Sequence, residues 1–216
     1  MPATRSERLI VFTRFPEPGK TKTRLIPALG QQGAAHLQRQ MTEQMMATAA
    51  TLNGQHGLSV EVRHEGGNAA LMQDWLGSNV IYRPQGSGNL GQRMQRAFAA
   101  AFRDKAAAVV LVGSDIPGIS GDILRQAFEA LRKKDLVLGP AKDGGYYLIG
   151  LNRALSFKTV ARLFKGINWG SHNVLAQTLQ IARDLGLHLT QLESLADVDR
   201  PADLPVWHEA QNITAQ

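Results

Sequence analysis

AAAVVLVGSDIPGISG, residues 106–121, decides the fold class of this chain. Ala108 to Val112 is an uninterrupted aliphatic run, which suits a strand buried on both faces of a parallel sheet rather than one with a solvated face. The run stops at Gly113. Asp115 comes two residues later, Pro117 fixes the turn, and Ser120 stands as N-cap for an amphipathic helix over 122–133. A carboxylate at the carboxyl end of a central strand lies where open α/β sheets bind ligands, placed to hold a metal ion or a substrate. Capping of the turn is the competing role for Asp115.

Upstream, RLIVF (8–12) reads as the first strand of the same sheet. The stretch TRFPEPGKTKTRL after it is a βα loop, because Pro16, Pro18 and Gly19 break both helix and strand. Backbone amides, a helix N-terminus and cations make such a loop a cradle for phosphate, with Arg14, Gly19, Lys20, Lys22 and Arg24 as its candidates. A solvated charge cluster is the plain alternative. The upstream glycine of a Walker sequence is missing, which excludes a P-loop ATPase. Apolar residues recur at helical spacing from Gln31 to Leu52 through Ala34, Leu37, Met41, Met45 and Ala49. LSVEVRH (58–64) alternates as a half-buried strand, 68–76 reads as helix and 79–83 as strand. RPQGSGNLGQRM then forms a second glycine-rich loop entering a helix over 91–104, where Gly91 allows close backbone approach and Gln85 and Arg93 offer hydrogen bonds to a ligand.

Downstream, 136–139 reads as a strand, and GPAKDGGYYLIGL places Asp143, Gly144 and Gly145 ahead of the apolar strand 146–151. Asp143 and Tyr146 offer an acceptor and a stacking face to a substrate, while D-G-G equally makes a hairpin turn. In FKGINWGSHN (164–173), Trp169 either roofs a pocket or anchors its loop to the core, and Ser171 is read as the cap of a helix over 172–185. A strand over 187–192 leads to ADVDRPADL. Asp197 and Asp199 alternate there, so in an extended segment both point the same way and could share a divalent metal with Asp115 if the fold brings the two strand ends together. Capping of the helix begun at Pro201 is the alternative for Asp199.

Strand–helix alternation along nearly the whole chain implies a three-layer α/β/α sandwich with a mainly parallel sheet. The 216 residues fit one domain, residues 1–216 with a core of about 8–209. The absence of cysteine excludes disulfides, thiolate metal sites and a cysteine nucleophile. No apolar run approaches the ~20 residues of a membrane span, and the N-terminus lacks a signal-peptide core, so a cytoplasmic protein is expected. A formal charge of +6 suits an anionic partner. Because the cations concentrate in a Gly/Pro loop without interleaved aromatics, the expected partner is a phosphate-bearing small molecule and not a nucleic acid. Oligomeric state is not legible.

The ordered set FTRFPEPGKTKTRL, QGSGNLGQRM, GSDIP, GPAKDGGYYLIGL and DVDRPADL resembles the small bacterial glycosyltransferase-like family associated with arsenosugar biosynthesis, formerly a domain of unknown function. More distantly it is similar to guanylyltransferases of the molybdenum-cofactor and phospholactate kinds, which share the nucleotide-diphospho-sugar transferase (GT-A) fold. The resemblance implies a nucleotide-sugar site with Mg²⁺ or Mn²⁺ on Asp115, and a second metal contact from Asp197 or Asp199. It also implies phosphate contacts from Lys20, Lys22 and Arg24, and Gly91 and Arg93 near the nucleotide. Asp143, Gly145 and Tyr146 would border the sugar or acceptor, with Asp143 as the candidate base. The sequence departs from the family at Asn89 and Gln92, where acids are usual, and in reading DIPGIS after the strand. The implied activity is glycosyl transfer from a nucleotide sugar. Nucleotidyl transfer to a phosphorylated acceptor is the alternative, and a non-catalytic nucleotide-binding module is a third.

Overall fold

The computed structural model describes residues 6–52 and 57–214. The first five residues, part of the N-terminal segment considered above, lie outside the described residues. The described residues form one seven-stranded sheet flanked by helices on both faces. In chain order the elements are β1 (Glu7–Arg14), α1 (Ile26–Ala50), β2 (Leu58–Glu65), α2 (Ala69–Leu76), β3 (Ile81–Pro84), α3 (Leu90–Arg103) and β4 (Ala108–Gly113). They continue through α4 (Gly121–Ala130), β5 (Leu136–Pro140), β6 (Tyr146–Asn152), α5 (Phe157–Leu163), α6 (Val174–Asp184), β7 (Leu189–Gln191) and α7 (Leu204–Thr214). The sheet order is β3-β2-β1-β4-β6-β5-β7. Only β6 is reversed, pairing antiparallel with β4 and with β5, and every other pair is parallel. The mainly parallel three-layer reading therefore holds, and D-G-G is the hairpin turn between β5 and β6.

The aliphatic run in β4 serves two cores at once. Val110 and Val112 join Met45, Met72, Leu124 and Phe128 on one face, whereas Val109 and Leu111 join Met94, Phe98, Val160 and Leu163 on the other. β1 divides its side chains in the same way, Leu9 and Val11 to one core and Ile10 and Phe12 to the other. Period-2 geometry sends alternate residues to opposite faces, so a strand covered on both sides needs apolar residues throughout. Chain order runs outward from β1 to β3 and then returns to β4 on the other side of β1. This reversal opens a crevice at the carboxyl ends of β1 and β4.

Local signals explain most element starts. Ser120 Oγ accepts from Ile123 N (3.3 Å) and opens α4. Asn89 and Gln92 form a capping box at α3, each side chain accepting the other's backbone N–H at 3.0 Å. Helix α1 runs regularly only from residue 31, because Gly30 breaks it with φ 69°. Two readings need correction, and one helix went unread. Helix α6 begins at Val174, with Asn173 and not Ser171 before it, and Ser171 Oγ instead accepts from Asn173 N (3.3 Å). Asp199 is not a cap, since Asp203 accepts from the N–H groups of Asp199 (3.1 Å) and Arg200 (2.7 Å). Helix α5 was not anticipated at all; Ser156 caps it, but two turns are too short to show a periodic apolar stripe. Among the described residues no helix is long and apolar enough to cross a membrane.

Candidate active site

A cleft of 460 Å³ occupies the crevice where the sheet order reverses. Its walls carry Arg14, Lys22, Arg24 and Arg93 together with Glu65, Asp115 and Asp199. The first βα loop, the end of β4 and the segment after β7 thus converge here.

Lys22 is the centre of that convergence. It is 7% exposed, and its ammonium donates to Val198 O (2.6 Å) and pairs with Asp115 Oδ2 (2.9 Å). Val198 N in turn donates to Asp115 O (3.0 Å). One lysine therefore ties three chain segments around one carboxylate. Its backbone sits at φ 49°, in the left-handed region that a side-chain-bearing residue occupies at a conformational cost. Arg24 pairs with Asp199, which also lines the cleft. Arg14 (2.8 Å) and Arg93 (3.0 Å) both clasp Glu65, whose carboxyl is held below its ordinary value chiefly by the Arg14 hydrogen bond, with burial opposing. A depressed carboxyl contributes stability above its unfolded value of 4.5 and loses it as pH falls through the folded value. The melting temperature of Glu65→Gln is accordingly expected to lie below that of the parent at pH 7, with the gap closing as pH drops below 4.5. A gap that persists unchanged at pH 3 would mean that Glu65 acts by packing and not by charge.

Beneath Asp115 lies a buried polar cluster that sequence reasoning missed. Gln38 Nε2 reaches Thr13 Oγ1 (3.2 Å), Thr42 Oγ1 (3.1 Å) and Ser114 Oγ (3.1 Å), and Ser114 Oγ reaches Thr13 Oγ1 (3.1 Å) and Asp115 Oδ1 (3.4 Å). The available signal was Gln38 and Thr42, four apart, adjoining the apolar stripe of α1. Gln85, expected to meet a ligand, does line the cleft but is buried: its Nε2 donates to Thr13 O (3.0 Å) and Arg63 O (3.2 Å), and its Oε1 accepts from Arg93 Nη1 (3.3 Å).

Other candidates lie outside the cleft wall. Lys20 points outward and pairs with Glu17 (2.6 Å), and Gly19 turns the loop at φ 79°. Gly91 packs under Trp169, where a Cβ would come within 2.5 Å of the indole. Trp169 also meets Tyr146 edge-on (6.4 Å) and Phe164 (6.4 Å), which makes it an anchor. Gly91→Ala is expected to cost about 1–3 kcal/mol through displacement of that ring, read by denaturant titration. The Tyr146 hydroxyl is buried, and burial pushes the phenol far above its usual range. Gly144 lies against the backbone of His172, too close to admit a Cβ, and Gly145 N donates to Asp143 Oδ1 (2.8 Å). Asp197 sits beyond buried Val198, and burial, then the Asp143 carboxylate, raise its carboxyl above the ordinary range. Among the described residues no three His, Cys, Asp or Glu side chains form a metal-binding group, so Asp115, Asp197 and Asp199 do not converge as a triad.

A mixed seven-stranded sheet with its cleft at the β1/β4 switch point defines an α/β protein of the nucleotide-diphospho-sugar transferase fold. The chain belongs to the family described as uncharacterized protein conserved in bacteria (DUF2064), whose model matches residues 45–171. It is 34% identical to a candidate nucleotide-diphospho-sugar transferase of Desulfovibrio desulfuricans G20, with a TM-score of 0.86 over 95% of this chain and 87% of that one. It is 31% identical over 97 residues to 2-phospho-L-lactate guanylyltransferase of Methanopyrus kandleri strain AV19. That match spans 44% of this chain and 46% of the relative, under half the length of either. Glucosyl-3-phosphoglycerate synthase of Mycobacterium tuberculosis, solved with Mn²⁺, UDP and glucosyl-3-phosphoglycerate, shares the fold at 14% identity. Its TM-score is 0.56 over 99% of this chain and 78% of that one.

Proposed function

We propose that this protein is a nucleotidyltransferase, which joins the nucleoside monophosphate of a nucleoside triphosphate to a phosphorylated small acceptor and releases pyrophosphate. The observation that carries the reading is the composition of the cleft: four cationic side chains, Arg14, Lys22, Arg24 and Arg93, converge on 460 Å³. Such a wall matches a triphosphate and a second phosphate. The groups suited to a sugar, Tyr146 and Trp169, are engaged with each other and with Gly91 instead. The guanylyltransferase relative supports the same direction.

In this reaction an acceptor phosphate oxygen attacks the α-phosphorus, the bond from that phosphorus to the bridging oxygen breaks, and charge accumulates on the departing pyrophosphate. Lys22 and Arg24 stand where that charge develops, and Arg14 and Arg93 hold the remaining phosphates in line. Mg²⁺ is commonly held by one or two carboxylates plus substrate phosphates. Asp115, whose side chain is 48% exposed, and Asp199 in the same wall supply a donor set of that kind, so the residues fit a divalent ion arriving with the nucleotide. When bound it would neutralise phosphate charge and orient the α-phosphate.

Glycosyl transfer from a nucleotide sugar is the second reading, favoured by the 34% identical structure from Desulfovibrio. One experiment separates the two. The protein is incubated with Mg²⁺ and either nucleoside triphosphates plus phosphorylated acceptors or nucleotide sugars plus the same acceptors, and phosphorus NMR follows the products. Acceptor-dependent pyrophosphate establishes nucleotidyl transfer. Free nucleoside diphosphate from a sugar donor, without pyrophosphate from any triphosphate, overturns it in favour of glycosyl transfer.

A further inference from the structure

At the other end of the sheet from the cleft lies a second pocket, of 360 Å³, which the proposed reaction does not use. It opens where the end of α3 passes into β4 and the end of β6 passes into α5, about 20 Å from Asp115 along β4 at ~3.3 Å per residue. Phe102, Leu155, Phe157 and Val160 give it an apolar lining, and the exposed Arg103, Lys105 and Arg153 border it. Its volume falls at the lower end of small-ligand pockets, roughly 300–1,000 Å³.

Three features of this pocket point the same way. Phe157 is 65% exposed, the most exposed of the large apolar side chains among the described residues, although α5 could have carried a polar residue at that solvent-facing position. None of the three rim cations has a carboxylate within ion-pair distance among the described residues, in contrast to those of the cleft, which are all paired. Finally, Lys105 sits at φ 67° just after α3, where its N–H bonds back to Phe102 O (3.1 Å). That position closes a helix and favours glycine. A lysine held there against local preference places a charge on the rim at a conformational cost, and departures from local preference concentrate where function demands them.

The geometry points to a binding site for an amphipathic anion, a small molecule whose apolar body enters the pocket and whose phosphate or carboxylate meets Arg103, Lys105 and Arg153. The ligand is taken free from solution and not from a bilayer, because the apolar surface is concave and admits a chain end or ring rather than lying flat on a membrane.

Octyl phosphate below its micellar concentration is a suitable probe, with octanol, inorganic phosphate and vesicles of anionic phospholipid as comparisons. The full chain is titrated while backbone amide resonances are followed. Octyl phosphate is expected to saturate, shifting amides of 99–106 and 153–160, with octanol and phosphate each about tenfold weaker, since each retains only half of the interaction. Arg153→Glu is expected to weaken octyl phosphate about tenfold through like-charge repulsion. Ala99→Trp, on the surface of α3, fills the pocket and abolishes the response. Both variants should keep the parent's melting temperature and its response to triphosphate, which shows that they fold. Shifts confined to the cleft, equal affinity for octanol, an unchanged Arg153→Glu, or binding to vesicles but not to free octyl phosphate would each overturn the site.

Discussion

Glu61→Ala is expected to remove about 3–5 kcal/mol of folding stability, the cost of leaving buried cations without their counter-charge. Glu61 is fully buried on β2, where it accepts from Arg8 Nη1 (3.1 Å) and Arg63 Nε (2.6 Å), with Arg83 4.0 Å away. Arg8 and Arg63 are themselves only 7% and 5% exposed. Arg8 would retain Asp104 (2.8 Å), whose carboxyl is held below its ordinary range chiefly by that bond, but Arg63 would lose its one carboxylate among the described residues. At ~2–4 °C per kcal/mol for a chain of this size, the melting temperature should fall by roughly 10 °C. Urea titration should show the midpoint falling at constant slope. A loss below about 1 kcal/mol would mean that water already solvates the arginines and that the network is a surface one.

That network also marks how far the sequence could be read. LSVEVRH alternates, and alternation ordinarily signals one buried and one solvated face. Here Val60 and Val62 are buried as the pattern implies, yet Glu61 and Arg63 are buried too, because the polar face of β2 folds onto charges from β1, β3 and the end of α3. Local pattern distinguishes apolar from polar; it does not reveal that a polar face has found its complement elsewhere. The same limit applies to Gly91 and Trp169. Each was conspicuous alone, and their mutual fit, 78 residues apart in the chain, exists only once α3 and the 164–173 loop are packed. By contrast, β1 and β4 were legible because double-sided burial needs an unbroken aliphatic run, and the position of Asp115 followed from where that run ends. The cleft was thus partly legible. Arg14, Lys22, Arg24, Arg93, Asp115 and Asp199 were each singled out and line one cleft, whereas Gln38, Thr13 and Ser114 among them carry neutral side chains that no charge count detects.

Lys22→Gly is expected to lower the rate of transfer by about 10²–10³, the usual consequence of deleting one fixed charge aimed at a developing negative charge. The choice of glycine makes the test informative. Lys22 occupies a left-handed backbone conformation, and glycine adopts it without the Cβ penalty of ~1–2 kcal/mol. Deleting the ammonium also takes the donor from Val198 O, a loss of ~1–3 kcal/mol if that carbonyl stays dry. The two contributions oppose each other, so the melting temperature should stay within a few degrees of the parent while turnover collapses. Asp115 is affected in the opposite sense to the phosphates. Without Lys22 its carboxylate has lost its counter-ion, so Mn²⁺ followed by its own magnetic resonance signal should bind no more weakly, even as triphosphate affinity drops. A parent-like rate in Lys22→Gly would remove the ammonium from the chemistry and leave it a structural clamp. Weakened Mn²⁺ binding with unchanged triphosphate affinity would instead mean that Lys22 serves to position Asp115. Lys22→Arg separates the remaining possibilities: it keeps the charge and the backbone strain of the parent but brings a wider head into the place of a side chain that is 7% exposed, so it should lose stability and activity together.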